Sequence, residues 1–389
     1  MLNLESINYL AALAIRSLQE ANNSDVSTVR HQGFCTPEHD GKFEIRAWRS
    51  NGFSDSEIYR LSAGFGEFAI RSWPKSVETP LKITFWLGVN NVFCNQDGDL
   101  KSIDASIASP FPRIYRWCDL GERNAQLFPY EDRLWTLCDW VQGQPILRGD
   151  VPKELICHLA TVLGRLHANT LIAKDDSGDR FEAQIMQSSS VSERLAAVKS
   201  LDHRVFSTID EISFFRTCSL VDRVKHSLAI VMERKSAWQN FLSISSRQMR
   251  TCHWIVRDLW RENVLIDDQQ RFTSIVDLGA ARFDWPGLDF TRLFGSLSHA
   301  SRNTLISDGN PNEDLWQEAY SAYTQENPAH GIDSLDECRM LHLVSSGLAI
   351  AQWVRWIKEG TFDFRNEGKS LRVANRVAEL CDQFLIESQ

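Results

Sequence analysis

Apolar residues recur at helical spacing along the start of the chain. Ile7, Leu10, Ala11, Ala14, Ile15 and Leu18 fall on one face, which predicts an amphipathic helix over residues 1–22. A polar stretch runs from there to Lys42. The pattern then shortens. Residues 43–48, 57–61 and 68–73 are strand-like, separated by a polar loop and by Gly64-Phe65-Gly66. Thr79-Pro80 supplies an N-cap followed by proline, predicting a helix over 80–90. Residues 134–141 are apolar enough for a buried strand. From residue 150 onwards the period is helical, with Leu155, Leu159, Val162, Leu163 and Leu166 on one face. Residues 171–192 read as an exposed loop. Residues 193–250 read as helical, with Phe214, Phe215, Leu220, Val221 and Val224 inside. Val264-Leu265-Ile266 and Ser274-Ile275-Val276 read as two short strands around the polar turn 267–271. Asp289 follows Trp285-Pro286-Gly287-Leu288 and precedes an apolar run, the position of an N-cap. Ser334 and Glu337 have the spacing of a capping box, and the helix they open is apolar almost all round.

Composition narrows the classes. A chain of 389 residues suits two domains or one domain of two lobes, and 43% hydrophobic content is ample for a core. Net charge is −9, which argues against a general nucleic-acid binder, since that function calls for a basic face. The thirteen tryptophans read as packing residues. Nine cysteines, an odd number with no Cys-x2-Cys pair, predict reduced thiols in a cytoplasmic protein, with neither a zinc site nor a disulfide framework. The N-terminal helix carries Glu5 and no basic region before its apolar positions, so it does not read as a signal peptide. No apolar run is long enough to predict a membrane span.

The candidate chemistry lies in residues 253–279. Asp258, Asn263 and Asp277 bracket the predicted hairpin, and core packing gives no reason for them there. Phosphoryl transfer calls for a carboxylate beside the attacking hydroxyl and for oxygen ligands to a Mg2+ ion on the phosphates. Asp258 suits the first task; Asn263 and Asp277 suit the second. A turn centred on Gln270 places position 263 opposite 277, where paired residues lie about 5 Å apart at the α-carbon. Taken alone, the same residues are also an ordinary solvated Asp/Asn pair flanking a hairpin.

Val256-Arg257-Asp258-Leu259 with Asn263 resembles the catalytic loop of the protein-kinase-like fold, and Asp277-Leu278-Gly279 resembles its Asp-Phe-Gly metal motif. Further segments agree in order with the aminoglycoside phosphotransferases and the wider phosphotransferase enzyme family, which includes choline and homoserine kinases. Residues 67–74 resemble the third strand with its basic phosphate ligand, here Arg71. Residues 135–143 resemble the inter-lobe hinge, Leu163-Gly164-Arg165-Leu166-His167 the Leu-x-x-Leu-His helix, and Asp289-Phe290-Thr291-Arg292-Leu293 the segment after the metal motif.

The resemblance implies a two-lobed α+β, protein-kinase-like fold: an N-terminal helix and linker over 1–42, a small antiparallel-sheet lobe over 43–134, a hinge over 135–143 and a larger helical lobe over 144–389. It implies Mg2+ and ATP or GTP as phosphoryl donor, a small hydroxyl acceptor as partner, and no nucleic acid or membrane. Asp258 would take the catalytic role, and Asn263 and Asp277 the metal. Arg71 would contact the phosphates. Gly52 would let the covering loop approach them, and Ser54 would donate to their oxygens. The Asp139 carbonyl and Val141 amide would meet the base. Asp289 would hydrogen-bond backbone near the catalytic loop.

The chain also departs from the pattern. Val256 stands where the family usually has histidine, and Trp260 where it has lysine or histidine. The helix after the third strand has no acid in its run to pair with Arg71, leaving Glu78, just before it, as the substitute. The functional readings are therefore a small-molecule kinase, a nucleotide-binding or non-catalytic regulatory protein of the same fold, and an unrelated metal-dependent enzyme.

Overall fold

A computed structural model describes residues 2–24, 43–48, 56–95, 109–118, 126–146, 151–170, 182–202, 209–298, 311–327, 332–361 and 367–388. In chain order the elements are α1 (Leu4–Ser24), β1 (Phe43–Trp48), β2 (Ile58–Ala63), β3 (Gly66–Pro74), α2 (Glu78–Asn95), β4 (Ile114–Tyr115), β5 (Phe128–Tyr130), β6 (Arg133–Asp139), β7 (Gln144–Pro145) and α3 (Lys153–Thr170). They continue with β8 (Gln184–Gln187), α4 (Ser189–Lys199), α5 (Ser213–Thr217), α6 (Val221–Ser245), β9 (Met249–Ile255), β10 (Val264–Ile266), β11 (Phe272–Ile275), β12 (Arg282–Asp284), α7 (Gly287–Ser298), α8 (Pro311–Glu326), α9 (Leu335–Lys358) and α10 (Glu367–Glu387). The chain divides into two compact units. The first comprises Met1–Leu147, Arg165–Glu182 and Asp258–Arg282; the second comprises Arg148–Gly164, Ala183–Arg257 and Phe283–Gln389.

The first unit is built on an antiparallel sheet of order β1-β2-β3-β6-β4, with β5 on the edge of β6. Its central strand β3 is buried from Phe68 to Trp73, because both faces are covered. Successive side chains of a strand point to opposite faces. Phe68 and Ile70 therefore share one side, where they join Leu10, Ala11, Leu13, Ala14 and Leu18 of α1 in a single apolar cluster with Tyr59, Leu61, Trp117, Trp135 and Leu137. The predicted helical stripe gains Leu13, which is 4% exposed. Arg71 and Trp73 share the other side, where the Trp73 ring lies 6.4 Å from that of Trp86 on α2. This alternation turns Arg71 away from the α1 cluster and towards α2.

α2 begins earlier than its sequence suggests. Glu78 is its first residue, and Thr79 does not cap it; the Thr79 hydroxyl donates to the Pro74 carbonyl at 2.9 Å. Pro80 still sits in the first turn, where its missing N–H costs nothing. Within the same unit β7, β10 and β11 form a second sheet. The Ile275 amide and the Ser274 hydroxyl both donate to the Pro110 carbonyl, at 2.6 and 3.1 Å. These bonds tie the hairpin to residue 110 within the first unit.

The second unit is mostly helical, with β8, β9 and β12 as a small sheet. The expected exposed loop over 171–192 is corrected here: residues 184–187 are a strand, and α4 starts at Ser189. Ser188 and Ser190 are buried at 0% and 1% because they hold a buried acid. Ser188 Oγ and the Ser190 amide donate to Asp284 at 2.6 and 2.9 Å. Over 193–250, Phe215, Leu220 and Val224 are buried as expected, while Phe214 and Val221 are only half-buried. Ser334 caps α9, accepting the Glu337 amide at 3.2 Å. The other half of the capping box is absent. The Glu337 carboxylate is buried against Arg250 and accepts from Ser245 Oγ at 2.5 Å.

Candidate active site

The sequence-derived site residues Arg71, Asp139, Val141, Asp258, Asn263 and Asp277 all belong to the first unit. Gly52 and Ser54 lie outside the described residues.

The hairpin fixes Asn263 and Asp277, in a register one residue from the one expected. Val264 pairs with Ile275, Leu265 with Ser274 and Ile266 with Phe272, with a bulge between Leu265 and Ile266. Asn263 therefore faces Val276, whose amide donates to the Asn263 carbonyl at 2.8 Å. The tip explains the slip. Gln270 takes φ +60° and the Asp267 amide donates to the Arg271 carbonyl at 2.9 Å. The bulge then places one extra residue on β11. Asp277 follows directly, with φ 64° and ψ 65°. Asp is among the few non-glycine residues that take this left-handed conformation readily. It ends the strand and turns into the short helix Leu278–Ala280.

Asp258 is placed by its backbone. Its carbonyl accepts the Trp260 amide at 3.0 Å and Asn263 Nδ2 at 2.8 Å. The preceding Arg257 has φ +69°, a conformation that Arg does not favour. Within the second unit, Asp289 accounts for it: its carboxylate accepts the Val256 amide at 2.8 Å and the Arg257 amide at 2.6 Å. Asp289 is the third residue of α7 and does not cap it; the helix starts at Gly287. Its grip on the Val256 and Arg257 amides is the contact the resemblance implied. Val256 is fully buried, so the departure from histidine leaves an apolar core residue there.

Arg71 and Asp277 form a direct ion pair through Arg71 Nη2 and Asp277 Oδ1. The Arg71 guanidinium also lies 4.4 Å over the Trp73 ring, and its side chain is 10% exposed. Glu78, the sequence candidate for this pairing, instead meets Lys82 at 3.4 Å. Burial raises the Asp277 pKa, but the charge and hydrogen bond of Arg71, helped by the Gly279 amide, outweigh it. The carboxyl is held below its ordinary range.

Lys82 was not singled out in the sequence. Its Nζ donates to the Gly279 carbonyl at 2.7 Å, tying α2 to the turn after Asp277. The available signal was a lone cation, Lys82, in an otherwise apolar helical run.

β6 ends at Asp139, short of the predicted 141. Phe68 pairs with Asp139 and Arg71 with Thr136, so the segment expected to meet the base leaves the sheet beside the Arg71 strand. The Asp139 carboxylate accepts Tyr115 Oη at 2.6 Å. Burial lifts its pKa, while Tyr115 and the Arg113 amide pull the other way without cancelling the rise. Val141 is half-buried. Gly143 closes the segment at φ +136°, where an added Cβ would meet the Ile266 carbonyl at 2.8 Å, so a side chain is excluded on both counts. Cys138 is buried and its thiol is pushed up to about 12, which makes it inert as a nucleophile.

The donor set fits a hard divalent cation. Asn263 commits its Nδ2 to the Asp258 carbonyl, so Oδ1 is the atom of this side chain that could accept a cation. The two contacts of Asp277, from Arg71 and from the Gly279 amide, both fall on Oδ1. Among the described residues there is no group of three or more His, Cys, Asp or Glu able to hold a metal. Such a sparse all-oxygen set suits Mg2+, which keeps few protein ligands and takes the rest from phosphates and water.

This sheet-plus-helix architecture, with the hairpin, the Asp-Leu-Gly turn and the basic third strand, is the protein-kinase-like fold. A family model described as "Phosphotransferase enzyme family" matches residues 49–328, and the chain belongs to that family. By that membership it is a phosphotransferase. The fold is similar to that of an amicoumacin kinase in complex with AMP-PNP and Ca2+, at 13% identity and TM-score 0.53, covering 87% of this chain and 88% of that one. It is also similar to a spectinomycin phosphotransferase in complex with ADP, at 11% identity and TM-score 0.51, covering 87% and 92%. A comparison with curated protein sequences finds no match.

Proposed function

We propose that the protein transfers the γ-phosphoryl group of a nucleoside triphosphate, ATP or GTP, to a hydroxyl of a small acceptor. The acceptor oxygen forms a bond to γ-phosphorus, the bond to the bridging β–γ oxygen breaks, the diphosphate leaves, and the hydroxyl proton passes to Asp258. Asp258 orients the hydroxyl before it takes the proton. Asn263 and Asp277 hold Mg2+, which when bound offsets the charge of the phosphate oxygens. Arg71 contacts the phosphates. Gly52 and Ser54 belong to the loop that covers them, and the Asp139 carbonyl and Val141 amide take the edge of the base.

The observation that carries this reading is the convergence of Arg71, Asp277 and the Asn263 end of the hairpin within one unit. A basic strand residue touching the acid that follows the second strand has no purpose in core packing. Reduced thiols and nucleotide use suit the cytoplasm. Among the described residues no helix is long and apolar enough to cross a membrane. Amicoumacin and spectinomycin, named for the two structural neighbours, enter the acceptor panel alongside aminoglycosides, amino alcohols, amino acids and sugars.

The test is nucleotide consumption across that panel, with Asp258→Asn as control. Turnover with at least one acceptor is expected to fall about 10²–10⁴-fold in the variant. Undiminished turnover would remove Asp258 from the mechanism.

A further inference from the structure

The pairing between α2 and the Asp277 turn is reversed in charge from what a basic strand residue invites. Among the described residues α2 offers Arg71 no acid: Glu78 turns to Lys82, and Arg71 pairs with Asp277. Lys82, 16% exposed at its side chain, holds the Gly279 carbonyl. Two cations thus converge on the three residues 277–279. The cluster is tight, since a Cβ at Gly279 would lie 3.2 Å from Asp277 Oδ1 and 3.5 Å from Arg71 Nη2. Arg71 is held under Trp73, and its Nε is buried with no hydrogen-bond partner among the described residues. A buried donor left open favours an arriving acceptor, and phosphate oxygens pair well with a guanidinium fork.

We infer that Arg71 stands in for the divalent cation at Asp277 in the nucleotide-free enzyme, with Lys82 bracing the turn, so that nucleotide phosphate must draw Arg71 away before the metal settles. The inference rests on the proposed function, because it assumes that Asp277 is a metal ligand and Arg71 a phosphate ligand. Its physical basis is charge. A divalent ion approaching Asp277 meets a carboxylate already neutralised, with a fixed positive group beside it, and at such range the repulsion is large in a partly buried site. The nucleotide reverses the balance by offering Arg71 a better-charged partner.

The experiment titrates Mn2+ alone into nucleotide-free wild type, Arg71→Met and Asp277→Asn, read by electron paramagnetic resonance of the free ion. A parallel titration measures ADP binding in EDTA. Arg71→Met is expected to bind Mn2+ about tenfold or more tighter than wild type while losing ADP affinity, and Asp277→Asn is expected to show no such gain. Lys82→Met should weaken the Mn2+–ADP complex and leave metal-free ADP binding unchanged. Should Arg71→Met lose its cooperative melting transition, Arg71→Gln carries the same comparison. Wild type binding Mn2+ alone as tightly as the Arg71 variant, with Mn2+–ADP still bound, would overturn the inference and leave the proposed function standing. If wild type bound neither metal nor nucleotide, the proposed function would fall, and the inference with it.

Discussion

At the scale of single residues, Asp277 shows why local sequence identifies a group without fixing its state. The sequence supplies a carboxylate at the end of a strand; its partner, Arg71, is 206 residues away. The depressed pKa sets a sign. Because the folded value lies below the ordinary 3.8, the pair contributes stability that is full above that value and disappears as pH falls through the folded one. Melting temperatures of wild type and Asp277→Asn are therefore expected to differ at neutral pH and to converge in acid below pH 3.8; a constant gap across the series would assign the loss to something other than the charge. Lys82 makes the same point from the other direction. A lone lysine in an apolar helix reads as a solvated face, and only the arrival of the Gly279 carbonyl, 197 residues on, gives it a role.

At the scale of elements, strands and helices were legible where periodicity was strong, and misplaced where one tertiary bond decided the boundary. β1–β3 and β10 fall where alternation put them. α2 starts early because Thr79 bonds to Pro74. The hairpin register slips because the tip closes between Asp267 and Arg271, one residue short of a turn centred on Gln270, and the bulge on β11 restores only part of the offset, neither of which a hydrophobic pattern records. Residues 184–192 fall inside the stretch that reads as loop because its serines look solvated, whereas Ser188 and Ser190 serve Asp284. The first turn of α7 offers a direct test. Asp289→Ala leaves the Val256 and Arg257 amides without their acceptor, and each such loss in a buried site costs about 1–3 kcal/mol. Denaturant unfolding should show that destabilisation, and turnover should fall further than the stability loss explains, because Arg257 no longer has its left-handed conformation held beside Asp258. Unchanged turnover in the folded variant would separate Asp289 from the catalytic loop.

At the scale of the whole molecule, burial governs both stability and reactivity. α1 closes the apolar side of the main sheet, and Leu10 is 1% exposed within that cluster. Leu10→Ala is expected to cost about 2–5 kcal/mol in denaturant unfolding; a negligible change would mean that the helix packs loosely on the sheet. Cys138, Cys252 and Cys338 have thiols raised to about 12 by burial. All three are expected to resist alkylation near pH 8 in the native protein and to react once it is unfolded, read by mass spectrometry of the labelled peptides. The sequence by itself determined the family, the first three strands, the strand Val264–Ile266 and the main helices, and it named Asp258, Asn263, Asp277 and Arg71 as candidates, because those depend on residue type and on spacing along the chain. Only the tertiary structure decided the partners: Arg71 on Asp277, Lys82 on Gly279, Asp289 on the Arg257 amide and Glu337 on Arg250. Each joins groups far apart in sequence, and the pairing of charges and hydrogen bonds is set by which faces the packed sheet and helices bring together.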